Sequence, residues 1–385
     1  MRVAVFTDND FDKVNGVTTA LNALVAHAPD DVAPRIYTAS ALRSDTPHYL
    51  ALASAAVPIP FYTGMDMYVP RWREYLRLVT TDAIDVLHLT TPGPLGLTAL
   101  WVASKTGLPL VGSFHTDLAT YTTVLSGSQM LGRLMGRYLR WMYGKCMQTL
   151  VPSAATRELM ISTGFDPRQI GFWTRGVDTT LFAPGRRSTL VRERWRASVR
   201  EPALLYVGRL SREKGLELLP EMLYRLRACG APHRLVVAGD GPLRRWLMEQ
   251  LPDAVFTGSL SREDVANVFA SADLFVFPST TDTAGNVVLE AQASGLPVVV
   301  SNKGGPREHM MPDVTGRICE GNDARAWATV VADLLLDPAT RQHMSAAARQ
   351  YALNRRWETA LAGVYQAYRD AVREAPQASP ARRVA

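Results

Sequence analysis

"DLFVFPSTTDTAGNVVLEAQASGLPVVVS" spans residues 273–301. It opens on an apolar β-rich run, LFVFP (274–278), and closes on another, PVVVS (297–301). Between them lie a polar loop and an apolar helical pattern that starts at Gly285-Asn286. Two near-continuous apolar strands joined through a helix belong to a parallel sheet covered on both faces. The stretch also carries two acids, Asp282 on the loop and Glu290 inside the helix. An acid among Val, Leu and Ala needs a reason to be there.

The same alternation runs along the whole chain. A first series of strand runs is RVAVF (2–6), RIYTA (35–39), IDVLHL (84–89), LPLVGSF (108–114), QTLVP (148–152) and IGFW (170–173). A second is ALLYVG (203–208), RLVVAG (234–239), AVFTG (254–258), LFVFP and PVVVS. Helical stretches separate most of them. The series meet across GVDTTLFAPGRRS (176–188), which is turn-rich without apolar periodicity and reads as a linker. The expectation is an α/β protein of two doubly wound parallel-sheet domains facing across a cleft, 1–180 and 185–352. Ligands then sit beyond the carboxyl ends of strands. Residues 354–374 read as a helix, with Trp357, Leu361, Val364, Tyr365 and Tyr368 on its apolar side, and 376–385 as a frayed tail.

Composition narrows the class. Of 385 residues, 47% are hydrophobic and 20% charged, an ordinary globular balance with length enough for two cores. A net charge of +6 over this length is too small to argue for wrapping nucleic acid. Cys146, Cys229 and Cys319 are odd in number and far apart, which suits neither a disulfide framework nor a metal site. MRVAVFTDND (1–10) is too short in apolar residues for a signal peptide, and no uncharged run reaches the length of a membrane span. These features predict a reduced, cytoplasmic protein, soluble or peripheral on a membrane.

Four segments carry candidate chemistry. TDNDFDKVNGVTTAL (7–21) lacks G-x-G-x-x-G, which disfavours a dinucleotide oxidoreductase. Gly16 opens a helix there, where a phosphate can approach the backbone; a plain tight turn is the alternative. In YVGRLSREKGLELL (206–219), Arg209 leaves a strand end and Lys214 stands at a helix start. Cations favour the other end of a helix, so an anionic ligand such as a diphosphate would compensate. A solvated basic loop would read the same. SFHTDLATY (113–121) puts His115 and Asp117 just past a buried strand, where a His can donate to a substrate oxygen or merely cap its neighbour; His88 is a fainter case. In DTAGNVVLE (282–290), Asn286 reads as an N-cap that leaves the Val287 and Val288 amides for phosphate. Glu290 could accept from sugar hydroxyls and Asp282 could reach another part of the same ligand. The bland alternative is a capping acid and a Glu paired to an Arg.

Taken jointly, VNGV (14–17), SFHTD (113–117), TRGVD (174–178), VGRLSREKG (207–215), AGDGP (238–242), FTGSLS (256–261) and DTAGNVVLEAQASGLPVV (282–299) resemble the retaining glycosyltransferases of family 4, which have the GT-B fold of two Rossmann-like domains. The likeness covers nearly the whole chain. NGV, SFHTD and TRGVDTTLF look most like the branch that glycosylates membrane lipids, the mannosyl-, glucosyl- and sulfoquinovosyl-transferases. The resemblance implies a nucleotide-diphosphate sugar donor, GDP-mannose or a UDP-hexose, with retention and no metal or other cofactor. It implies that Arg209 and Lys214 bind the donor diphosphate, with Gly16 and the helix start Gly285 to Val288 holding phosphate oxygens too. Glu290 would bind the ribose, Asp282 the sugar hydroxyls, and the backbone of Gly258, Ser259 and Leu260 would line the base. His115 would lie near the donor C1. The helix near 354–374 would cross back onto the first domain. The family usually has Glu and Phe where this chain has Asp282 and Ala284, so the sugar half of the site is altered.

Two basic stretches raise a membrane partner. MLGRLMGRYLRWMYGKCM (130–147) carries Arg133, Arg137, Arg140 and Lys145 without an acid, and YVPRWREYLRL (68–78) sets Arg71, Arg73 and Arg77 around Trp72. Such helices can lie on anionic lipid, or can pack on a sheet with solvated Arg. Three rival functions share these motifs: an epimerase, a phosphorylase, and a non-catalytic sugar-nucleotide-binding protein. An epimerase needs no acceptor, a phosphorylase needs free phosphate, and a binder shows no turnover.

Overall fold

The strand runs of the first half pair into one parallel sheet. A computed structural model describes residues 1–11, 15–39, 48–52, 55–58 and 66–375; Val14 and the tail 376–385 lie outside them. The chain divides into two compact units, Met1–Arg175 with Glu358–Ala385, and Gly176–Trp357.

The first unit contains β1 (Arg2–Phe6), β2 (Ala33–Thr38), β3 (Tyr49–Ala51), an antiparallel hairpin of β4 (Ala56–Pro58) and β5 (Asp66–Tyr68), then β6 (Val86–Leu89), β7 (Leu110–Ser113), β8 (Gln148–Val151) and β9 (Ile170–Phe172). Apart from the hairpin they form a parallel sheet ordered β3-β2-β1-β6-β7-β8-β9. The order reverses between β1 and β6, the Rossmann pattern. Every residue of β6 and β7 is buried, which explains their uninterrupted apolar character. The helix Trp357–Glu374 belongs to this unit from Glu358 onward. It buries Leu361, Val364, Tyr365 and Tyr368, and is fixed by Tyr365 donating to the Leu24 carbonyl and by a two-armed Arg369–Asp31 pair.

The second unit contains β10 (Ala203–Val207), β11 (Arg234–Ala238), β12 (Val255–Gly258), β13 (Leu274–Phe277), β14 (Val298–Ser301) and β15 (Gly316–Cys319). They lie parallel in the order β12-β11-β10-β13-β14-β15, again reversing after the first strand. Tyr206, Phe269, Phe275 and Trp327 fill the core, where burial of a Phe side chain stabilises by about 1.5–3 kcal/mol. Asp273 sets β13 beside β10. Its carboxylate accepts from the Ala203 amide at 2.8 Å, from Arg192 at 2.8 Å and from Arg187 at 2.6 Å.

Residues 176–188, read as the linker, begin at the boundary between the units and pack into the second. Val177 and Phe182 are buried in the second core, and Arg349 donates to the carbonyls of Thr179 and Phe182. The stretch lacks periodicity because its apolar side chains plug in singly. β3, β15 and the hairpin match none of the runs read from sequence. They are three or four residues long, and GRIC in β15 carries a polar Arg317. No helix among the described residues is long and apolar enough to cross a membrane.

Candidate active site

In the second unit the reversal of strand order puts the loops after β10 and β13 side by side. Lys214 ends a short 3-10 turn, Arg212–Lys214, and Gly215 follows at φ 68°. A Cβ on Gly215 would come within 3.0 Å of the Pro278 carbonyl, so the loops touch backbone to backbone. Thr281 donates to the Glu213 carbonyl at 2.8 Å and ties them further. Lys214 Nζ then reaches both carboxylate oxygens of Asp282, at 2.7 and 2.9 Å. It also stands 5.9 Å from the centre of the Phe277 ring. Lys214 and Asp282 are thus brought together as an ion pair, a link that the sequence reading did not foresee. Arg209 is half-buried on the same loop, its carbonyl accepting from the Tyr206 hydroxyl at 3.0 Å.

The neighbouring loops are held just as closely. A Cβ on Gly239 would sit 2.0 Å from the Gly208 oxygen, and one on Gly241 would sit 2.4 Å from the Leu210 oxygen. Only glycine lets the loop after β11 support the one that carries Arg209. At the end of β12, Gly258 adopts φ 73° and its carbonyl accepts from the Gly239 amide. Ser259 beyond it is exposed, and Leu260 is half-buried against the core.

The helix after β13 runs Asn286–Ala293. Its N-cap is Gly285 at φ 77°, not Asn286. Asn286 already has helical geometry, because the left-handed turn needed to enter the helix falls on the glycine. The Val288 amide donates to the Gly285 carbonyl at 2.9 Å, so it is not the outward donor that the sequence suggested. Glu290 is half-buried, and among the described residues its carboxylate accepts no hydrogen bond and forms no ion pair. Burial pushes its pKa up, and the charge of Arg262 pulls it partly back. The bland alternative of a Glu paired to an Arg is therefore not realised: the Arg262 guanidinium lies over the Phe182 ring.

Gly304 and Gly305, after β14, were not singled out in the sequence. The Gly305 amide donates to the Asp282 carbonyl at 2.9 Å, and a Cβ on Gly305 would sit 2.0 Å from the Thr283 oxygen. The adjacent glycines in KGGP were the available signal.

In the first unit, Gly16 is exposed at the start of the helix Gly16–Ala26. Asn15 caps it, accepting from the Val17 and Thr18 amides at 2.9 Å each, while the Thr18 hydroxyl takes the Asn15 amide. This capping box uses two donors of the first turn that a phosphate could otherwise meet. Asp117, not His115, is the cap of the helix Leu118–Ser126, accepting from the Thr120 amide. His115 lies inside a buried polar chain. Arg175 Nη2 meets its Nδ1 at 2.9 Å, and Ser113 Oγ meets its Nε2 at 2.9 Å. Ser113 also contacts His88 Nε2 at 3.0 Å, and His88 Nδ1 contacts the Tyr368 hydroxyl at 2.6 Å. Burial holds the His88 pKa down to about 3 and that of His115 well below the usual range, with the Arg175 charge adding to the latter.

Comparison with known proteins gives this geometry a family. The sequence pattern of Glycosyltransferase Family 4 matches residues 14–181, and that of Glycosyl transferases group 1 matches residues 188–351. A GDP-mannose-dependent alpha-mannosyltransferase of Corynebacterium glutamicum is 30% identical over 97% of this chain and 89% of its own. The chain belongs to the family 4 glycosyltransferases. The sulfoquinovosyl transferase SQD2 of Arabidopsis thaliana is 32% identical over 80% of this chain and 61% of its own. Among solved structures, Anabaena HepE in complex with UDP superposes with a TM-score of 0.77 at 16% identity, over 96% of this chain and 100% of its own. The fold of this glycosyltransferase is accordingly GT-B, two Rossmann-like units.

Arg175, Ser113 and Tyr368 are the residues around His115 that sequence reasoning missed. Arg175 was visible only as a letter of TRGVD, with no chemistry attached to it.

Proposed function

We propose that this glycosyltransferase moves a hexose, with retention, from a nucleotide-diphosphate sugar to a membrane-lipid or glycan acceptor, and that it needs no metal. GDP-mannose is the first donor to test, because the Corynebacterium relative uses it by name. The observation that carries the reading is Lys214 held on Asp282 at the switch point of the second sheet, beside the helix start at Gly285. Departure of a nucleoside diphosphate develops negative charge on phosphate oxygens. Lys214 and Arg209 supply fixed positive charge there, and the amides of the helix start add partial charge. Glu290, lacking a protein partner, is suited to accept from the two ribose hydroxyls. Asp282, released when phosphate takes Lys214, is suited to sugar hydroxyls. Ala284 is only 7% exposed, so the aromatic usual in the family would not fit there without repacking.

A lipid acceptor accords with the surface of the first unit. The helix Gln129–Tyr143 buries Gly132, Leu139, Met142 and Tyr143. Its outward stripe mixes Met130, Leu134 and Trp141, each more than half exposed, with Arg133 and Arg137. Arg140 does not join that stripe, since its guanidinium donates to the Thr163 carbonyl. In the other basic stretch, Trp72 is 48% exposed under the Arg73 guanidinium. Exposed apolar groups among cations match an anionic bilayer surface.

A thermal-shift panel of GDP-, UDP- and ADP-sugars tests the donor reading without an acceptor. A rise in Tm with one base is expected. Equal, null shifts with every nucleotide sugar contradict it.

A further inference from the structure

Arg175 is a buried cation without an acid. It is 4% exposed, and among the described residues it forms no ion pair. Its guanidinium donates to the Trp173 carbonyl at 3.2 Å and to His115 Nδ1 at 2.9 Å, and lies 5.4 Å over the Trp173 ring. Nε is buried with no hydrogen bond. Desolvating a charge in this way is costly, and the ring contact offsets only part of that cost. A Met or Leu would fill the same space more cheaply, so packing alone does not account for Arg175.

What Arg175 does is restrict His115. A guanidinium can only donate, so Nδ1 must accept and the imidazole proton sits on Nε2, toward Ser113. Ser113 and His88 then lead the constraint to Tyr368 on the C-terminal helix. His115 stands in the loop after β7 with both ring nitrogens engaged and its ring in T-shaped contact with Trp173.

We propose that Arg175 is a positioning residue for the transfer reaction: it holds the His115 imidazole in one tautomer and one ring orientation, and with it the loop that follows β7. The proposal rests on the reading that His115 belongs to the donor-sugar site. Arg175 and His88 both bear on the protonation of His115, with Tyr368 beyond. Burial is the main cause of the lowered His115 pKa and the Arg175 charge the second, so removing that charge moves protonation of the imidazole part of the way back toward the accessible acid range.

The test pairs ¹⁵N NMR of the imidazole nitrogens with kinetics on wild type, Arg175→Met and Arg175→Lys. Wild-type His115 should carry its proton on Nε2 and stay neutral to the lowest pH at which the fold survives. Arg175→Met should mix the tautomers, lower kcat about ten- to a hundredfold with donor KM within about twofold, and add an acid limb to the kcat profile. Arg175→Lys keeps a donor for Nδ1 and should recover most of the tautomer and of kcat. A wild-type proton on Nδ1, or wild-type kcat in folded Arg175→Met, overturns the proposal. The NMR reading of wild type needs neither a donor nor a variant. A failed donor search therefore sinks the proposed function, and a wrong tautomer sinks this one.

Discussion

Lys214 Nζ lies 2.7 and 2.9 Å from the two oxygens of Asp282, and the side chains are only 15% and 17% exposed. One residue was read as a phosphate ligand and the other as a sugar ligand. Without a donor they satisfy each other. In the proposed reaction a diphosphate would win Lys214 from this carboxylate and so free Asp282 for the sugar.

Asp282→Asn separates the two roles. It removes the competing charge while keeping the shape. The nucleoside diphosphate should then bind as tightly as in wild type or up to about tenfold more tightly, a gain on the scale of one hydrogen bond to a charged group. Transfer should fall at least about tenfold. Calorimetric titration with GDP or UDP and initial rates measure the two; weaker diphosphate binding contradicts the hand-off.

Glu290 should trade stability for binding. Its carboxyl pKa is raised by burial, so the charged form is disfavoured in the folded state. For a raised pKa, the favourable contribution is complete below the ordinary carboxylate range and is lost as pH rises through the folded value. Glu290→Gln should therefore raise Tm at neutral pH and change it little in acid. It should also weaken nucleotide binding about ten- to a hundredfold, the loss of hydrogen bonds to a charged acceptor. In wild type, nucleotide affinity should fall as the pH drops through that same raised pKa. An unchanged affinity in Glu290→Gln removes Glu290 from the ribose.

Gly305→Ala tests the support beneath Asp282. The new Cβ would stand 2.0 Å from the Thr283 oxygen, so the loop 282–285 must move. A loss of about 1–3 kcal/mol in denaturant unfolding is expected, with kcat reduced more than donor affinity. Wild-type kcat in this variant would show that the loop's placement does not matter.

Vesicle flotation checks the membrane surface. Binding to anionic vesicles should fall with salt, and changing Met130, Leu134 and Trp141 together to Ser should abolish it. Arg140→Ala should lower Tm without lowering flotation, because Arg140 holds the Thr163 carbonyl. No flotation of wild type at low salt sinks the membrane partner.

Much of the fold was legible because buried parallel strands are continuous apolar runs. LFVFP and PVVVS lie where read, as β13 and β14. β15 escaped because an edge strand of four residues with Arg317 needs only one apolar face. Val177 and Phe182 escaped because they anchor a loop, which has no period to detect. At the site, residue types showed which groups could meet an anion, and local order placed them at strand ends. Pairing was not legible. Lys214 and Asp282 are 68 residues apart, and His88 and Tyr368 are 280 apart, so only the folded chain joins them. Asn286 failed as a cap for a smaller reason: Gly285 can take the left-handed turn, and a neighbour cannot be read as both cap and first helical residue.

The central claim is that the Lys214 end of this site carries sugar transfer from a nucleotide diphosphate. The direct measurement is product formation from radiolabelled GDP-mannose and UDP-hexoses with a membrane-lipid extract, in EDTA, by wild type and by Lys214→Ala. Wild type should release nucleoside diphosphate and label the acceptor. Lys214→Ala should remain folded and lose about a hundred- to a thousandfold in kcat, the scale of removing a charge-stabilising donor. No turnover of any donor by wild type, or wild-type rates in Lys214→Ala, would contradict the account.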